Sequence, residues 1–225
     1  MSEKNIVVYT CIIGNYDKPK IPKFTSKHVH YVLFTDDRGL KSDQYEVRYI
    51  DVEDDNKSKT ARHVKLSPHI HFPEYEYSVW VDGNITVVGD FRELIEKYLN
   101  SEKKRNLLMM NHRHRNCLYS EANTCIKMKA DIASVITNQI QKYKKDDFPV
   151  KWGLMETGIQ IRRHNEEDCK KLFDMWWDEV KNCSRRDQLS FTYCAWKTGI
   201  KFAKMDNINS GEVKKYFNVN WHHGK

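Results

Sequence analysis

Residues 77–84 read YSVWVDGN, and the way this stretch ends sets the fold. Tyr77, Val79, Trp80 and Val81 favour a pleated, buried backbone, so 77–81 is expected to be a strand covered on both faces. The strand stops at Asp82-Gly83-Asn84. A carboxylate and an amide oxygen, two residues apart, are thereby delivered to its C-terminal end. Hard divalent cations such as Mn2+ or Mg2+ take oxygen ligands of this kind. Asp-Gly-Asn is also a favoured hairpin turn, with 85–88 (ITVV) as the returning strand, and a metal site can sit on such a turn.

Working outward, the same pattern recurs. Residues 5–13 (NIVVYTCII) form an apolar, β-branched run that ends at Gly14-Asn15, a first strand followed by a loop. Further strands are expected at 30–35 (HYVLFT, ending at Asp36-Asp37), 45–52, 106–110 and 158–162. Helices are expected at 58–67 with Ser58 as cap, at 90–99 with Asp90 as cap, and at 126–144 with Ile132, Val135, Ile136 and Ile140 as its stripe. Two more are expected at 165–181 with Asn165 as cap and at 187–198. Strands ending in Gly, Asn or Asp, with helices between, predict a doubly wound α/β sheet with its ligand at the carboxyl ends of the strands. No repeat or linker divides the chain, so 1–225 is read as a single domain.

Composition narrows the class. The chain has 225 residues, 40% hydrophobic and 12% aromatic, enough for a sizeable core. Its formal net charge of +7 suits anionic partners, but no basic arm or recognition motif points to nucleic acid. None of the six cysteines forms a C-x-x-C pair, and several sit in apolar stretches; they are read as reduced, mostly buried thiols. No run approaches the roughly 20 apolar residues of a membrane span, and the N-terminus carries no usable signal peptide. The expectation is a cytoplasmic protein, with peripheral membrane contact left open.

The run YSVWVDGNITV occurs together with Thr10-Cys11-Ile12-Ile13-Gly14-Asn15-Tyr16-Asp17, Phe34-Thr35-Asp36-Asp37, Glu156-Thr157-Gly158 and Arg186-Asp187-Gln188. In order and spacing these resemble the glycosyltransferase-like domain, formerly a domain of unknown function, of plant mucilage-related proteins and bacterial polysaccharide loci. The resemblance covers about residues 5–200. It implies a GT-A-like fold: a mixed, mostly parallel sheet flanked by helices, as in nucleotide-diphospho-sugar transferases. Asp82-x-Asn84 stands where similar enzymes carry Asp-x-Asp, so Asp82 is the expected main ligand of Mn2+ or Mg2+, and the missing second carboxylate implies either a weaker site or a dispensable metal.

The resemblance also implies roles for the remaining positions. The first loop, with Thr10, Ile13, Gly14 and Tyr16, would hold the base and ribose; an ordinary strand-ending loop is the alternative. Asp36 or Asp37 would bond uracil or ribose, or cap the next segment. Arg62 and Lys65, three apart on one helix face, would reach the diphosphate or form a solvated basic face. His112-Arg113-His114-Arg115 is dense in donors suited to phosphate or an acidic acceptor. Glu156, Asp187 and Gln188 would line the acceptor side, an acid orienting a hydroxyl or acting as general base, although Asp187 also suits a helix cap. His222 and His223 are candidate further metal ligands.

The resulting expectation is a retaining, metal-assisted hexosyl transfer from a nucleotide-sugar donor, UDP-linked, to a hydroxyl of a glycan or lipid-linked glycan. Two other classes stay open. The His-x-His pairs would suit a metal-dependent hydrolase, and the lost carboxylate would suit a non-catalytic nucleotide- or glycan-binding module.

Overall fold

The computed structural model describes residues 5–52 and 56–220. Its centre is a seven-stranded sheet. The strands are β1 (Ile6–Ile12), β2 (Val29–Thr35), β3 (Glu46–Tyr49), β4 (Tyr77–Val81), β6 (Leu107–Asn111), β7 (Met155–Arg162) and β8 (Ala203–Met205), in the order β3-β2-β1-β4-β7-β6-β8. β7 alone runs antiparallel to its neighbours; every other pairing is parallel. The expected mixed, mostly parallel sheet is therefore present. From β1 the chain moves to one side through β2 and β3, and with β4 it returns to the other. The order thus reverses between β1 and β4, and α/β folds hold ligands in the crevice at such a reversal.

Strands buried on both faces need apolar residues at every position, and all seven residues of β1 and all five of β4 are buried. Alternation then sorts them between layers. Val7, Tyr9 and Cys11 pack with Val64, Phe72 and Trp80 on one face. Ile6, Val8 and Ile12 pack with Val81, Phe91, Leu94 and Phe217 on the other. The β6 half is covered by α6 (Glu167–Asn182) and α7 (Gln188–Thr198), through Leu172, Phe173, Trp176 and Phe191. Each such fully buried side chain contributes about 1.5–3 kcal/mol.

Several boundaries differ from the sequence reading, each for a local reason. α1 spans Lys57–Leu66, with the one-turn α2 (Pro68–His71) after it, and the cap of α1 is Asn56, whose side chain accepts from the Lys59 N–H; Ser58 lies inside the first turn. Asn165 does not cap α6, because its amide donates instead to Pro73 and Tyr75 carbonyls. The helix expected at 126–144 is two helices, α4 (Leu118–Lys127) and α5 (Ala133–Lys145). Lys129 takes a positive φ of 51° between them, and Ile132 lies outside the buried stripe. Segment 90–99 is a short helix, α3 (Arg92–Leu94), continued by a wider π-type turn at Ile95–Leu99.

Asp82-Gly83-Asn84 is not a hairpin turn. β5 (Ile85–Val87) pairs with β9 (Phe217–Val219), not with β4, in a separate two-stranded sheet. All six cysteines are free; five are buried and Cys183 is half-buried.

Candidate active site

β1 and β4 lie side by side and parallel, so the loops after them meet at the strand-order reversal. They pack tightly: a side chain at Gly83 would come within 3.1 Å of Ile12 and 3.4 Å of Asp17. Asp82 stands directly behind β4, its N–H donating to the Gly158 carbonyl at 2.9 Å. Period two puts Trp80 on the same face as Asp82, and the Trp80 indole N–H donates to Asp82 Oδ1 at 2.7 Å. Lys65 Nζ lies 3.2 Å from the same oxygen. Oδ2 faces the other way, over Gly158 of β7, where a Cβ would sit 3.2 Å from it. The missing side chain of Gly158 keeps room beside the carboxylate, which is 36% exposed.

Behind Asp82 is a buried charge cluster. Lys65 is completely buried, and its ammonium is 2.6 Å from Asp187 Oδ2. Arg62 Nε is 3.2 Å from Asp187 Oδ1. Burial pushes the Asp187 carboxyl up, but Arg62, Lys65 and Arg186 outweigh it and hold the group well below the usual carboxylate range. Burial likewise opposes the Arg62 charge, and Asp187 and Asp82 more than restore it. Arg162, also buried, anchors this cluster from below: it donates to the Lys65 carbonyl (3.2 Å), Ser78 Oγ and Gln160 Oε1. Tyr9 donates to the same Lys65 carbonyl at 2.8 Å.

The first loop is fastened by Asp36, which accepts the Gly14 N–H at 2.8 Å. Gly14 (φ 63°) and Asn15 (φ 55°) both take left-handed conformations. The Lys57 side chain lies across Gly14 so closely that a Cβ there would be 2.6 Å from Nζ. Tyr16 is 58% exposed at the loop's tip. Thr10 and Ile13 point into the core layers, and Asp37 makes a turn of its own by accepting the Gly39 N–H.

On the far side of β7, the His112–Arg115 run occupies the same end of the sheet but is tied by acids. Arg113 Nε binds Glu156 Oε1 at 2.9 Å, and Glu156 Oε2 accepts the Ile208 N–H. Arg115 binds Glu121, which also lies 3.8 Å from His112 Nε2. His112 Nδ1 accepts the N–H groups of His114 and Arg115, and burial holds its pKa below the ordinary histidine value against the pull of Glu121 and Glu156. Gln188 donates to the Met155 carbonyl. Asn84 is clamped to Asn220: its Nδ2 donates to the Asn220 carbonyl and its own carbonyl accepts from the Asn220 N–H. His222 and His223 lie outside the described residues.

Sequence reading quoted Trp80 and Gly158 within its motifs but gave neither a role in this site, and it did not single out Lys57. Trp80 carried one further signal, its two-residue offset from Asp82. Among the described residues, no three His, Cys, Asp or Glu side chains gather as a metal cluster, and no helix is long and apolar enough to cross a membrane.

A mixed α/β sheet flanked by helices, with an acid delivered at the reversal of strand order, is the GT-A-like arrangement used by nucleotide-diphospho-sugar transferases. The chain belongs to the TOD1/MUCI70 glycosyltransferase-like domain family, whose model matches residues 1–223. It is similar to the probable hexosyltransferase MUCI70 of Arabidopsis thaliana, 26% identical over 222 residues. That match covers 84% of this chain and 37% of the plant protein, so the chain spans just over a third of that relative's length. At family level the class is glycosyltransferase, which implies a donor and an acceptor substrate.

Proposed function

We propose that the protein transfers a hexosyl unit from a nucleoside-diphosphate sugar, UDP-linked, to a hydroxyl of a glycan or lipid-linked glycan, with retention of configuration. One observation carries this reading: Asp82 presents Oδ2 to the space over Gly158 at the strand-order reversal while Lys65 and Trp80 hold Oδ1.

The donor set fits Mn2+ or Mg2+. Asp82 Oδ2 and the Asn84 amide oxygen are hard oxygen donors, and ions of this kind are often held by one or two protein groups plus substrate phosphates. His222 or His223, outside the described residues, is proposed as a further ligand. When bound, the ion would neutralise charge building on the leaving diphosphate. Lys57, lying exposed across Gly14, is the cation offered to the same phosphates. Tyr16, at the tip of the Asp36-fastened loop, is the group to face the base.

Retention is supported by the state of the acids. Both Glu156 oxygens accept hydrogen bonds from the protein, and both Asp187 oxygens are in ion pairs. Asp187, held well below the usual carboxylate range, is a weak base, and Glu156 has both oxygens engaged by protein donors, so neither suits deprotonation of an acceptor. Asp187 instead keeps Arg62 and Lys65 in place behind Asp82, and Gln188, docked on Met155, borders the acceptor side.

The test is a thermal-shift and calorimetric screen of UDP, GDP, CMP and their sugars with and without Mn2+. A cognate nucleotide at 100 times its Kd should add about 2.7 kcal/mol of stability. Asp82→Ala should lose the Mn2+-dependent part; equal metal-dependent binding by the variant defeats the assignment. Asn84 in place of a second carboxylate favours one rival, a non-catalytic module, which UDP binding without turnover on any donor would support.

A further inference from the structure

The turn joining α4 to α5 carries two large apolar side chains in the open: Met128 is 75% exposed and Ile132 is 64% exposed. Lys127 and Lys129, beside Met128, are exposed as well. The one acid in 127–132, Asp131, points inward: its side chain is only 12% exposed, and it accepts from Ser184 Oγ at 2.7 Å and from the Arg185 N–H at 2.9 Å. The Arg185 side chain, 50% exposed, is paired with that acid at 3.7 Å, so the uncompensated cations of the turn are Lys127 and Lys129. The turn is also preformed. Met128, Lys129 and Ala130 donate to the carbonyls of Thr124, Ile126 and Cys125, and Asp131 Oδ1 accepts the Ile132 N–H. Displaying these side chains therefore needs little further ordering.

Apolar tips ringed by cations, on a surface whose acid is turned away, match an interface with an apolar interior and an anionic skin. We propose that the 127–132 turn is a docking surface for an anionic lipid bilayer, Met128 and Ile132 entering the headgroup region while Lys127 and Lys129 meet lipid phosphates. Through Asp131 the turn is bonded to Ser184 and Arg185, which lead within three residues to Asp187. Docking there would hold the candidate site near the membrane surface, where a lipid-linked acceptor would lie. The docking does not depend on the transferase reading; only its use does.

The experiment is flotation of the full chain with phosphatidylcholine vesicles and with vesicles containing about a third phosphatidylglycerol, at low and high salt. Binding to the anionic vesicles, weakened by salt, is expected. Met128→Glu with Ile132→Glu should lower partitioning at least about tenfold. Lys127→Gln with Lys129→Gln should lower it about fivefold per charge removed and erase the preference for anionic lipid. Circular dichroism and melting of both variants should match the parent, since these side chains are exposed. The proposal is overturned if the parent ignores anionic vesicles, or if both variants bind like the parent. It is also overturned if sedimentation shows that the turn instead pairs two copies of the chain. UDP binding by the same samples reports separately on the donor site.

Discussion

Two charged clusters share the carboxyl end of the sheet, and they are built to different rules. On the β4 side, Lys65 and Asp187 are buried, Arg62 nearly so, and the cluster serves one partly exposed carboxylate, Asp82. On the β6 side, Arg113 and Arg115 are 40% and 30% exposed, and only their acids are buried. Burying both members of a pair costs several kcal/mol per ion, offset only while every partner stays in place. Such a cluster fixes geometry. A cluster with its cations partly in water loses little when one partner leaves.

The largest expected effect breaks the buried cluster. Asp187→Ala leaves the buried Lys65 and Arg62 with Asp82 alone as counter-charge, and should cost about 3–5 kcal/mol. In a chain of this size that is roughly a 10 °C fall in melting temperature. Arg113→Ala, whose partner still accepts the Ile208 N–H, should cost about 1 kcal/mol or less. Equal losses for the two variants would remove the distinction.

Gly158→Ala comes next and sharpens the role of Asp82. The new methyl would press on Asp82 Oδ2 at 3.2 Å and Ile85 Cδ1 at 3.3 Å. Calorimetry with UDP and Mn2+ should show affinity down about tenfold, or about 1.4 kcal/mol, with little change in melting. Unchanged affinity would mean that the space over Gly158 is not where the ligand sits.

The smallest effect separates the clusters by pH. His112 has its pKa lowered by burial, so the neutral ring's contribution is complete above about pH 6.5 and fades as pH falls through its lower folded value. Protonated Nδ1 can no longer accept from His114 and Arg115. Asp187, an acid with a depressed pKa, contributes fully above about pH 4 and loses that contribution only at lower pH. Hydrogen exchange at mildly acidic pH should therefore open the 112–115 loop while the amides around 187 stay protected. Simultaneous opening would count against the assignment.

The sheet was legible because local pattern and burial agree: VVYTCI and YSVWV can only be covered on both faces, and their punctuation marks the ligand end. Pairings across the chain were not legible. ITV at 85–87 has the local look of a hairpin's second arm, yet its partner is FNV at 217–219. Asp187 has the local look of a cap, but its side chain makes no capping hydrogen bond and turns to Lys65 and Arg62. No spacing rule links positions more than a hundred residues apart. The polar stretch 111–125 hid α4, although Leu118, Glu121, Ala122 and Cys125 fall at 0, 3, 4 and 7 and are all buried. Lys57 carried no signal at all, because its importance comes from a glycine opposite it.

The clamp between Asn84 and Asn220 has a temporal side. The two residues are 136 positions apart. At about 5–20 residues per second, a ribosome that has just made the aspartate turn needs on the order of ten seconds to reach the asparagine that fastens it. For that interval β5 has no β9 to pair with, so the nascent protein carries its central carboxylate on an unfastened turn. The turn that bears the carboxylate should thus be fastened only well after its own strand has left the exit tunnel.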